Sequence, residues 1–441
     1  MNYFTITYGC QMNRSDSEKI TTRLRKMGHQ PAKNAALAEL IVVNLCSVRE
    51  SAVHRALDQI HKLSDGRKKI IAAGCILPQD RKKLAAKNIA IWHPDDYFSQ
   101  VPLRESEFSV FVPIMTGCNN FCSYCAVPFT RGREKSRPAK EIIAEIKKLL
   151  KNGAKEIILL GQNVNSYKDT AETFNPPTPL LRKGGEKPVS ASLVKRGAGG
   201  LKNTSIDFPA LLIIINALSG NFRLSFITSH PKDMSDKLIE TMAKCKKIIP
   251  YLHLPVQSGD DKILRAMNRH YSVAHYKNLI KKIHSSFARW RASEDKPPFS
   301  PIAISTDIIV GFPGETAKQF QNTLKLIKNV NFDMIYFARY SPRSGTAAAK
   351  LKDNVSPKEK RRRAQVINSL LKKQALELNK KYIGQEVEIL VEKVDANWAR
   401  GKTSTNKEVM LPRKKLKIGQ FTTVKITEAA AWHLKGLEKP R

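Results

Sequence analysis

Short apolar runs alternate with helix-like stretches along the first hundred residues. The apolar runs, rich in β-branched residues, are Phe4–Tyr8, Leu40–Leu45 and Ile70–Ala73. Between them, Ser15–Met27 and Ala52–Leu63 carry apolar side chains at helical spacing. Such an alternation is typical of a parallel sheet with helices on its faces, so we predict a small N-terminal parallel-sheet α/β domain over residues 1–105.

A longer alternation begins near residue 108. Its strand-like segments are Val110–Ile114, Glu156–Leu160, Arg223–Ile227, Tyr251–Leu254, Ser305–Val310 and Met334–Arg339. The helical patterns between them include Ala139–Asn152, Lys232–Cys245, Asp261–Met267 and Glu315–Asn329. Six βα units predict a partial (β/α)6 TIM-like barrel over residues 106–355, although an open doubly wound sheet would give the same pattern.

A helix and a second domain are expected after the barrel. Ser356, Pro357 and Glu359 have the order of an N-cap, a first helical position and a capping-box partner, and they predict a connecting helix over residues 356–381. Strand-like segments follow: Val387–Val391, Asn397–Gly401, Glu408–Leu411 and Phe421–Ile426. Residues 382–441 are therefore predicted to form a small all-β barrel, of the size that single nucleic-acid-binding modules use.

Two stretches interrupt these patterns. Lys168–Ser205 holds four prolines and five glycines and has no periodicity. A loop of that length is uncommon inside a compact domain, so we interpret it as a disordered, basic surface insertion. We interpret Phe287–Pro301 as a second, shorter insertion.

Composition narrows the class of protein. The chain has 441 residues, 41% of them hydrophobic, which excludes a chain disordered throughout. No apolar run of about 18 residues occurs, so we expect no membrane helix, and the first residues lack the pattern of a secretory signal. We therefore expect a cytoplasmic, reducing setting, where seven cysteines are metal ligands or reactive thiols rather than a disulfide framework.

The chain is strongly basic. Lysine and arginine number 76 against 39 acidic residues, and the formal net charge is +37. This excess favours a polyanionic partner, nucleic acid first and an anionic membrane second. A solvated, lysine-rich surface would give the same count, so charge by itself leaves both interpretations open.

The strongest chemical signal is a C-x3-C-x2-C triplet directly after the first barrel strand, formed by Cys118, Cys122 and Cys125. Three thiolates at this spacing can hold three corners of a cubane cluster and leave a fourth iron open to a non-protein ligand. Zinc is the alternative, but it requires a fourth ligand at matching range, and none lies nearby in the sequence. The spacing favours an iron–sulfur cluster.

A second, more dispersed set consists of Cys10, Cys46 and Cys75. Each lies just past the end of one strand-like run of the first domain. Sites in open α/β sheets form at the carboxyl ends of strands, so these cysteines are expected to converge on one edge, where they could hold another metal centre. Unrelated half-buried cysteines are the alternative. Cys245 is left over and is interpreted as a core or surface thiol.

Around these cysteines the chain resembles the radical S-adenosylmethionine methylthiotransferases. The matching segments are 7–13 (TYGCQMN), 44–50 (NLCSVRE), 74–75 (GC), 117–138, 160–167 (LGQNVNSY), 228–231 (TSHP), 253–259 (HLPVQSG), 307–315 (DIIVGFPGE) and 340–346 (YSPRSGT). They follow in order along nearly the whole chain apart from the two insertions. The strings CSVRE at 46–50 and TRGRE at 130–134 favour the members that modify isopentenyl-adenosine next to the anticodon of tRNA.

The resemblance implies two 4Fe–4S clusters and S-adenosylmethionine. The triplet would hold the cluster that binds and cleaves S-adenosylmethionine to a 5′-deoxyadenosyl radical, which would abstract hydrogen from carbon 2 of the adenine. The second cysteine set would hold an auxiliary cluster that supplies the sulfur. A second S-adenosylmethionine would provide the methyl group.

Further residues take their expected roles from the resemblance. Those expected to hold S-adenosylmethionine are Gly161, Gln162 and Asn163 at its amine, and Asp307, Gly311 and Gly314 along its adenosine. These glycines either allow close backbone approach or simply turn the chain. Gln257 and Ser258 are expected to face the substrate pocket.

The terminal barrel resembles the TRAM module, an RNA-binding β-barrel. Arg413, Lys414 and Lys415, with the basic residues at 360–363, are expected to meet phosphates, while Trp398 either stacks on a base or belongs to the core. The expected partners are the anticodon stem-loop of tRNA, with the target base splayed out of the stack, and an electron donor such as flavodoxin or ferredoxin. We expect a monomer without membrane contacts.

Alternatives remain within and outside this class. Sister enzymes methylthiolate threonylcarbamoyl-adenosine in tRNA or an aspartate of a ribosomal protein. From another class, the chain could be a non-catalytic iron–sulfur RNA-binding protein, although a mere binder has no need of a triplet that leaves one iron open.

Overall fold

The computed structural model describes residues 1–47, 50–63, 68–102, 108–170, 205–291, 302–412 and 416–438. Three sheet systems follow one another along the chain. None of the helices in these ranges is both long and apolar enough to cross a membrane.

The N-terminal part is a five-stranded parallel sheet. Its strands are β1 (Asn2–Thr7), β2 (Gln30–Pro31), β3 (Leu40–Cys46), β4 (Lys69–Cys75) and β5 (Ala90–Trp92), in the order β2-β1-β3-β4-β5. Its helices are α1 (Gln11–Lys26), α2 (Glu50–Leu63) and α3 (Pro78–Ala85). Strand β3 is buried along its whole length because α1 packs on one face and α2 on the other.

The middle part continues as parallel strands with connecting helices. Its strands are β6 (Ser109–Pro113), β7 (Met115–Thr116), β8 (Lys135–Ser136), β9 (Glu156–Leu160), β10 (Lys168–Asp169), β11 (Ile206–Asp207), β12 (Arg223–Phe226), β13 (Tyr251–His253), β14 (Ala303–Val310) and β15 (Met334–Arg339). Its helices are α4 (Val127–Arg131), α5 (Ala139–Lys151), α6 (Phe208–Asn216), α7 (Asp236–Lys244), α8 (Asp261–Ala266), α9 (Val273–Arg291) and α10 (Ala317–Val330).

Six of these strands form the partial barrel. Strands β6, β9 and β12 form one parallel group, and β13, β14 and β15 form the other. A parallel bridge between Leu224 and Ile248 joins the two groups, so the six strands run in chain order. The predicted partial (β/α)6 architecture is therefore confirmed. Helices α6 and α9 were not predicted, and Phe287–Arg291 belongs to α9 rather than to an insertion. Residues 292–301 lie outside the described ranges.

The first insertion leaves the barrel between two short paired strands. Lys168 pairs with Asp207 and Asp169 with Ile206, antiparallel. The buried Asp169 carboxylate also accepts a hydrogen bond from the Ala139 amide at the start of α5, at 2.7 Å. The two ends of the insertion are thus held together on the barrel, which leaves the strand order intact; residues 171–204 themselves lie outside the described ranges.

The last part is helix α11 (Pro357–Lys380) followed by a closed barrel. The Ser356 hydroxyl caps α11 by accepting from the Glu359 amide at 3.2 Å, as predicted. The barrel strands are β16 (Glu386–Val394), β17 (Trp398–Thr403), β18 (Glu408–Pro412), β19 (Phe421–Ala429) and β20 (Leu434–Glu438), in the order β16-β17-β18-β20-β19. The predicted all-β barrel is confirmed, with β20 as a strand that the sequence pattern did not reveal.

Candidate active site

The loop that carries the cysteine triplet is closed at its base by a two-stranded clip. Strand β7 pairs with β8 so that Met115 lies opposite Ser136 and Thr116 opposite Lys135. Gly117 follows with a φ of +77°, and a side chain there would collide with the backbone of Arg133. Only glycine fits this position, which lets the loop turn back over the carboxyl end of β6.

Contacts from distant elements fix the loop in place. The Ser123 amide donates to the Met267 carbonyl at 3.0 Å, and its hydroxyl donates to the Ala266 carbonyl at 2.7 Å, at the end of α8. The Ser123 carbonyl accepts from the Ala348 amide at 2.7 Å. The triplet is therefore held at the mouth of the barrel from two sides.

The three cysteines of this loop are half-buried, and one cation lies beside them. Burial raises the pKa of Cys118, and it raises that of Cys125 to about 12. The buried Arg269 guanidinium lies 3.4 Å from the Cys122 sulfur and donates to the Pro255 carbonyl at 2.8 Å. Metal binding must release the thiol protons, and this cation compensates the negative charge that results. No three His, Cys, Asp or Glu side chains in the described ranges converge as they would on a single metal ion.

Unpartnered polar groups surround the triplet. Seven buried side-chain atoms at the carboxyl ends of β6, β9 and β12 have no partner within the described structure: Thr116 Oγ1, Asn120 Nδ2, Gln162 Oε1, Asn163 Oδ1, Asn165 Oδ1, Ser229 Oγ and His230 Nε2. Buried polar groups are normally hydrogen-bonded, so such a concentration fits a polar ligand with several donors and acceptors. The amine, carboxylate and ribose of S-adenosylmethionine have this character, and the residues present fit the cofactor.

The loops that carry these groups are tied to each other. The Asn163 amide donates to the Asp233 carboxylate at 2.7 Å, and Lys232 reaches the Asn120 oxygen at 2.8 Å. Burial, then the charges of Arg269 and Lys232, lower the pKa of His230 to about 2, so the ring is neutral. Thr228, two residues before His230, has a φ of +78°. This conformation is strained for a β-branched residue, and such strain concentrates at functional sites.

The predicted cofactor residues separate into two groups. Gly161 lies at the end of β9 against Met115 and Val164, next to Gln162 and Asn163, whose side-chain oxygens have no partner within the described residues. On β14, the Asp307 carboxylate is partly exposed and lies 3.4 Å from His253 Nε2. The structure thus brings Gly161, Gln162 and Asn163 to the triplet's mouth and places Asp307 in a polar pair on the other half of the barrel.

Gly311 and Gly314 have local reasons for being glycine. Gly311 has a φ of +68°, and the stem of Lys360 fills the space that a side chain would take. Gly314 has a φ of +83° with nothing near its missing side chain, and its amide donates to Asn354 at 2.8 Å. The conformation of both therefore requires glycine irrespective of a cofactor.

The two predicted substrate residues have different settings. Gln257 has a φ of +71°, and its backbone pairs with β14 through Asp307 and Ile309. Ser258 is fully buried, with its hydroxyl 3.5 Å from that of Thr323 on α10. The expectation that Ser258 faces a substrate pocket is wrong, because α10 covers it.

The three cysteines of the second set lie at the carboxyl ends of neighbouring strands of the N-terminal sheet. Cys46 and Cys75 are paired neighbours at the ends of β3 and β4, and both are buried. Cys10 follows β1, is exposed and occupies the N-cap position of α1 without a side-chain capping bond. The Asn13 side-chain oxygen lies 3.8 Å from the Cys10 sulfur and 3.7 Å from the Cys75 sulfur. A hydrogen bond with Cys46 and burial raise the pKa of Cys75 well above its usual range.

An arginine from the triplet's own loop reaches this second set, a contact that the sequence did not predict. Arg131, at the end of α4, lies with Nε 2.9 Å from the Cys75 sulfur. Its Nη2 pairs with the Asp16 carboxylate at 2.5 Å, where both side chains are almost completely buried. The short helix that follows the triplet therefore contacts the second cysteine set through one side chain. The segment TRGRE, which contains Arg131, is one of those that resemble the family, but the resemblance predicted no role for this residue.

Two of the basic residues that were expected to meet RNA are buried. Lys360 and Arg363 are buried in ion pairs with Asp353 and Glu315, so the expectation that they meet phosphates is wrong. Trp398 is 40% exposed on the barrel, which excludes the core as its place. Arg413, Lys414 and Lys415 lie outside the described residues.

Three family models match successive parts of the chain. They are the uncharacterized protein family UPF0004 over residues 2–92, the Radical SAM superfamily over residues 112–327 and the TRAM domain over residues 380–437. Among solved structures, the chain is similar to the radical S-adenosylmethionine methyltransferase TsrM from Kitasatospora setae, with a TM-score of 0.50 at 11% identity over 79% of this chain and 76% of that one. That likeness concerns the fold alone.

Curated relatives match along the whole chain. One from Thermoanaerobacter sp. (strain X514) is 37% identical over 98% of this chain and 92% of its own length. Another from Carboxydothermus hydrogenoformans is 37% identical over 99% of both chains. Both carry the name tRNA-2-methylthio-N(6)-dimethylallyladenosine synthase. The chain therefore belongs to the radical S-adenosylmethionine methylthiotransferases, in the group of the tRNA-2-methylthio-N(6)-dimethylallyladenosine synthases.

Proposed function

We propose that this enzyme adds a methylthio group to carbon 2 of isopentenyl-adenosine next to the anticodon of tRNA. The observation that carries the proposal is the adjacency of the two cysteine sets, with Arg131 of one loop in contact with Cys75 of the other. A reaction that generates a radical at one cluster and delivers sulfur from another needs both within reach of one substrate base. The full-length relatives support the same reaction.

Each cysteine set has its own role. Cys118, Cys122 and Cys125 hold the cluster that binds S-adenosylmethionine, while Cys10, Cys46 and Cys75 hold the auxiliary cluster. When bound, the clusters and S-adenosylmethionine supply radical generation, sulfur and the methyl group. The protein half-buries the first set and keeps the Arg269 cation beside it.

The buried side-chain atoms that lack partners within the described residues hold S-adenosylmethionine. Gln162, Asn163, Ser229 and the neutral His230 offer buried donors and acceptors at the barrel mouth. Because Asn163 is fixed by Asp233, it presents its free oxygen in one orientation. Gly161, Asp307, Gly311 and Gly314 shape the remainder of this site, and Gln257 lies beside Asp307 on the substrate side.

The RNA is held by the terminal barrel. Arg413, Lys414 and Lys415 meet phosphates of the anticodon stem-loop, as does Arg361 of α11. Trp398 stacks on an unpaired base, since a half-exposed aromatic side chain on an RNA-binding barrel offers a stacking surface. The excess of 37 positive charges attracts the RNA at long range.

The division of labour follows the chain. Residues 1–105 form the auxiliary-cluster domain, 106–355 the radical core, 356–381 the connecting helix and 382–441 the RNA-binding barrel. The enzyme acts as a cytoplasmic monomer and receives electrons from a flavodoxin or ferredoxin. The match of three separate family models to three of these parts supports the division.

Nucleoside mass spectrometry tests the proposed function in cells. The chain is expressed in a bacterial strain that makes isopentenyl-adenosine but lacks its own methylthiotransferase, and total tRNA is digested. We expect methylthio-isopentenyl-adenosine with the intact chain and none when Cys10, Cys46 and Cys75 are replaced by alanine. Methylthio-threonylcarbamoyl-adenosine as the sole product would refute the choice of substrate.

A further inference from the structure

Arg131 joins two parts of the molecule that are far apart in sequence. It ends the short helix that follows the cysteine triplet, yet its guanidinium lies among the cysteines of the N-terminal sheet. Nε approaches the Cys75 sulfur at 2.9 Å, and Nη2 approaches the Asn13 oxygen at 3.3 Å and the Asp16 carboxylate at 2.5 Å. The guanidinium therefore touches the same sulfur and amide that organise the auxiliary set.

One nitrogen of the Arg131 guanidinium has no hydrogen-bond acceptor within the described residues. Arg131 Nη1 is buried and has no partner within the described residues, and the same holds for Asp16 Oδ1. A buried charged donor without a partner is costly, so its position calls for an acceptor that the protein alone does not provide. Sulfur atoms of an iron–sulfur cluster at Cys10, Cys46 and Cys75 are such acceptors.

The ion pair with Asp16 does not explain the orientation of the Arg131 guanidinium. A guanidinium serves a carboxylate best through two parallel hydrogen bonds, yet here a single nitrogen, Nη2, makes the ion pair. Nε is directed to a cysteine sulfur instead. Hydrogen bonds to cluster sulfurs and local charge are the features by which proteins set the potential of such clusters.

We propose that Arg131 is a positioning residue for the auxiliary cluster: it donates hydrogen bonds to the sulfur atoms there, raises the reduction potential of the cluster and slows its loss of iron. This inference rests on the proposed function in that it takes Cys10, Cys46 and Cys75 as cluster ligands. Because Arg131 belongs to the triplet's loop, it also fixes the auxiliary cluster relative to the radical-generating one.

The test isolates the auxiliary cluster in the full chain. In a background with Cys118, Cys122 and Cys125 replaced by alanine, anaerobic reconstitution loads only the second set. The midpoint potential is then measured by redox titration followed by electron paramagnetic resonance, and iron loss is timed against a chelator. Neither readout involves tRNA or S-adenosylmethionine.

Four variants separate a role at the cluster from a role in folding. Arg131→Gln should lower the potential and speed iron loss about 10- to 100-fold, because removing an outer-shell partner usually weakens metal affinity by about that factor. Arg131→Lys keeps the positive charge but loses the planar guanidinium with its several donors, so it should also speed iron loss. The double variant Asp16→Asn/Arg131→Gln removes the whole ion pair and so avoids a lone buried charge. Arg133→Gln, two residues away and stacked on Phe121, removes the same charge and should behave as the parent.

The double variant decides between the two explanations. If Arg131 acts on the cluster, the double variant recovers thermal stability but keeps the lowered potential and the rapid iron loss. If Arg131 only completes an ion pair, the double variant recovers the parent's potential and iron retention, and the proposal is refuted. A parent protein that binds no iron at all would overturn this inference together with the ligand assignment. Normal iron with an unchanged potential in Arg131→Gln would overturn the role of Arg131 alone.

Discussion

The Arg363 guanidinium lies 2.7 Å from the Glu315 carboxylate, and only 5% and 1% of the two side chains are exposed. This pair connects helix α11, which leads into the terminal barrel, with the segment that follows β14. The same Glu315 carboxylate accepts from the Gly311 amide at 2.6 Å. The position of α11 and the conformation of the Gly311 loop are thus fixed by one buried carboxylate.

Replacement of Arg363 by methionine should be strongly destabilising. It leaves Glu315 buried without its cation, a change that costs about 3–5 kcal/mol of unfolding free energy in comparable sites. We also expect weaker binding of S-adenosylmethionine, since the Gly311 loop loses its support. Urea denaturation and equilibrium binding measure the two effects.

The matched control lies on the same helix. Arg362 pairs with Glu359 at 2.7 Å but on the exposed face, so Arg362→Met should change neither quantity appreciably. Adding Glu315→Gln to Arg363→Met should restore most of the stability. Equal losses in the Arg362 and Arg363 variants would contradict the account of this pair.

Arg223 attaches the terminal barrel to the core. Its guanidinium donates to the carbonyls of Lys402 at 2.8 Å and Glu388 at 3.1 Å, and it lies 5.0 Å from the centre of the Phe421 ring. We expect Arg223→Gln to weaken tRNA binding about tenfold, or about 1.4 kcal/mol, because the barrel loses its fixed orientation. Fluorescence anisotropy with labelled tRNA measures the affinity.

Salt dependence distinguishes this role from a direct RNA contact. Arg223 touches protein rather than phosphate, so the slope of log affinity against log salt should stay as in the unmodified enzyme. A slope reduced by about 0.7–0.9 would mean that Arg223 itself meets a phosphate, contrary to this account. The exposed Arg25 on α1, changed to glutamine, controls for loss of one charge.

His230 makes the stability of the core depend on pH. Its pKa is about 2 in the folded protein, against an ordinary 6.5, because burial and then Arg269 and Lys232 disfavour the charged ring. Between these values the unfolded chain binds a proton that the folded chain does not, so stability falls as pH drops below 6.5 and is unaffected above it. One pH unit below 6.5 corresponds to about 1 kcal/mol.

The measurement compares unfolding of the reconstituted enzyme at pH 7.5 and 5.5. We expect His230→Gln to lose less stability over this interval than the parent, while a change at the exposed His275 leaves the parent's pH dependence. An identical loss in the parent and in His230→Gln would show that the ring does not stay neutral.

Iron content tests the two cysteine sets. The anaerobically reconstituted enzyme should hold about eight irons, as two cubane clusters. Replacing Cys10, Cys46 and Cys75 by alanine should leave about four, and so should replacing the triplet. Cys245→Ala is the control, since Cys245 is buried in the barrel core away from both sets, and it should retain the full content. Full iron in the first triple variant would rule out a two-cluster enzyme.

The parts of the fold that the sequence predicted are those set by local pattern. Leu40–Leu45 reads as a buried strand because five of its six positions are apolar, and the structure buries the whole of β3. The convergence of Cys46 and Cys75 was predictable because parallel strands end at one edge. Helix α9 was not predicted, although its buried residues Tyr276, Ile280 and Phe287 are at helical spacing.

The contacts that escaped prediction join residues far apart along the chain. Arg131 and Cys75 are separated by 56 positions, and nothing in either local pattern relates them. Arg363 lies in a run of basic residues, a pattern that predicts exposure to solvent or contact with phosphate. In the structure it forms a buried ion pair with Glu315, which lies 48 positions earlier in the chain. Tertiary pairing decides such cases, and it depends on how separate elements pack.

The most direct test of the central claim uses the purified, reconstituted enzyme on two defined RNAs. The two RNAs are anticodon stem-loops that carry either isopentenyl-adenosine or threonylcarbamoyl-adenosine and are otherwise identical. Each is incubated with the enzyme, S-adenosylmethionine and a chemical reductant, and its nucleosides are then identified by mass spectrometry. We predict a methylthio product on the isopentenyl RNA alone, and none from the Cys10/Cys46/Cys75 alanine variant. A product on the threonylcarbamoyl RNA alone, or none on either RNA with both clusters loaded, would contradict the account.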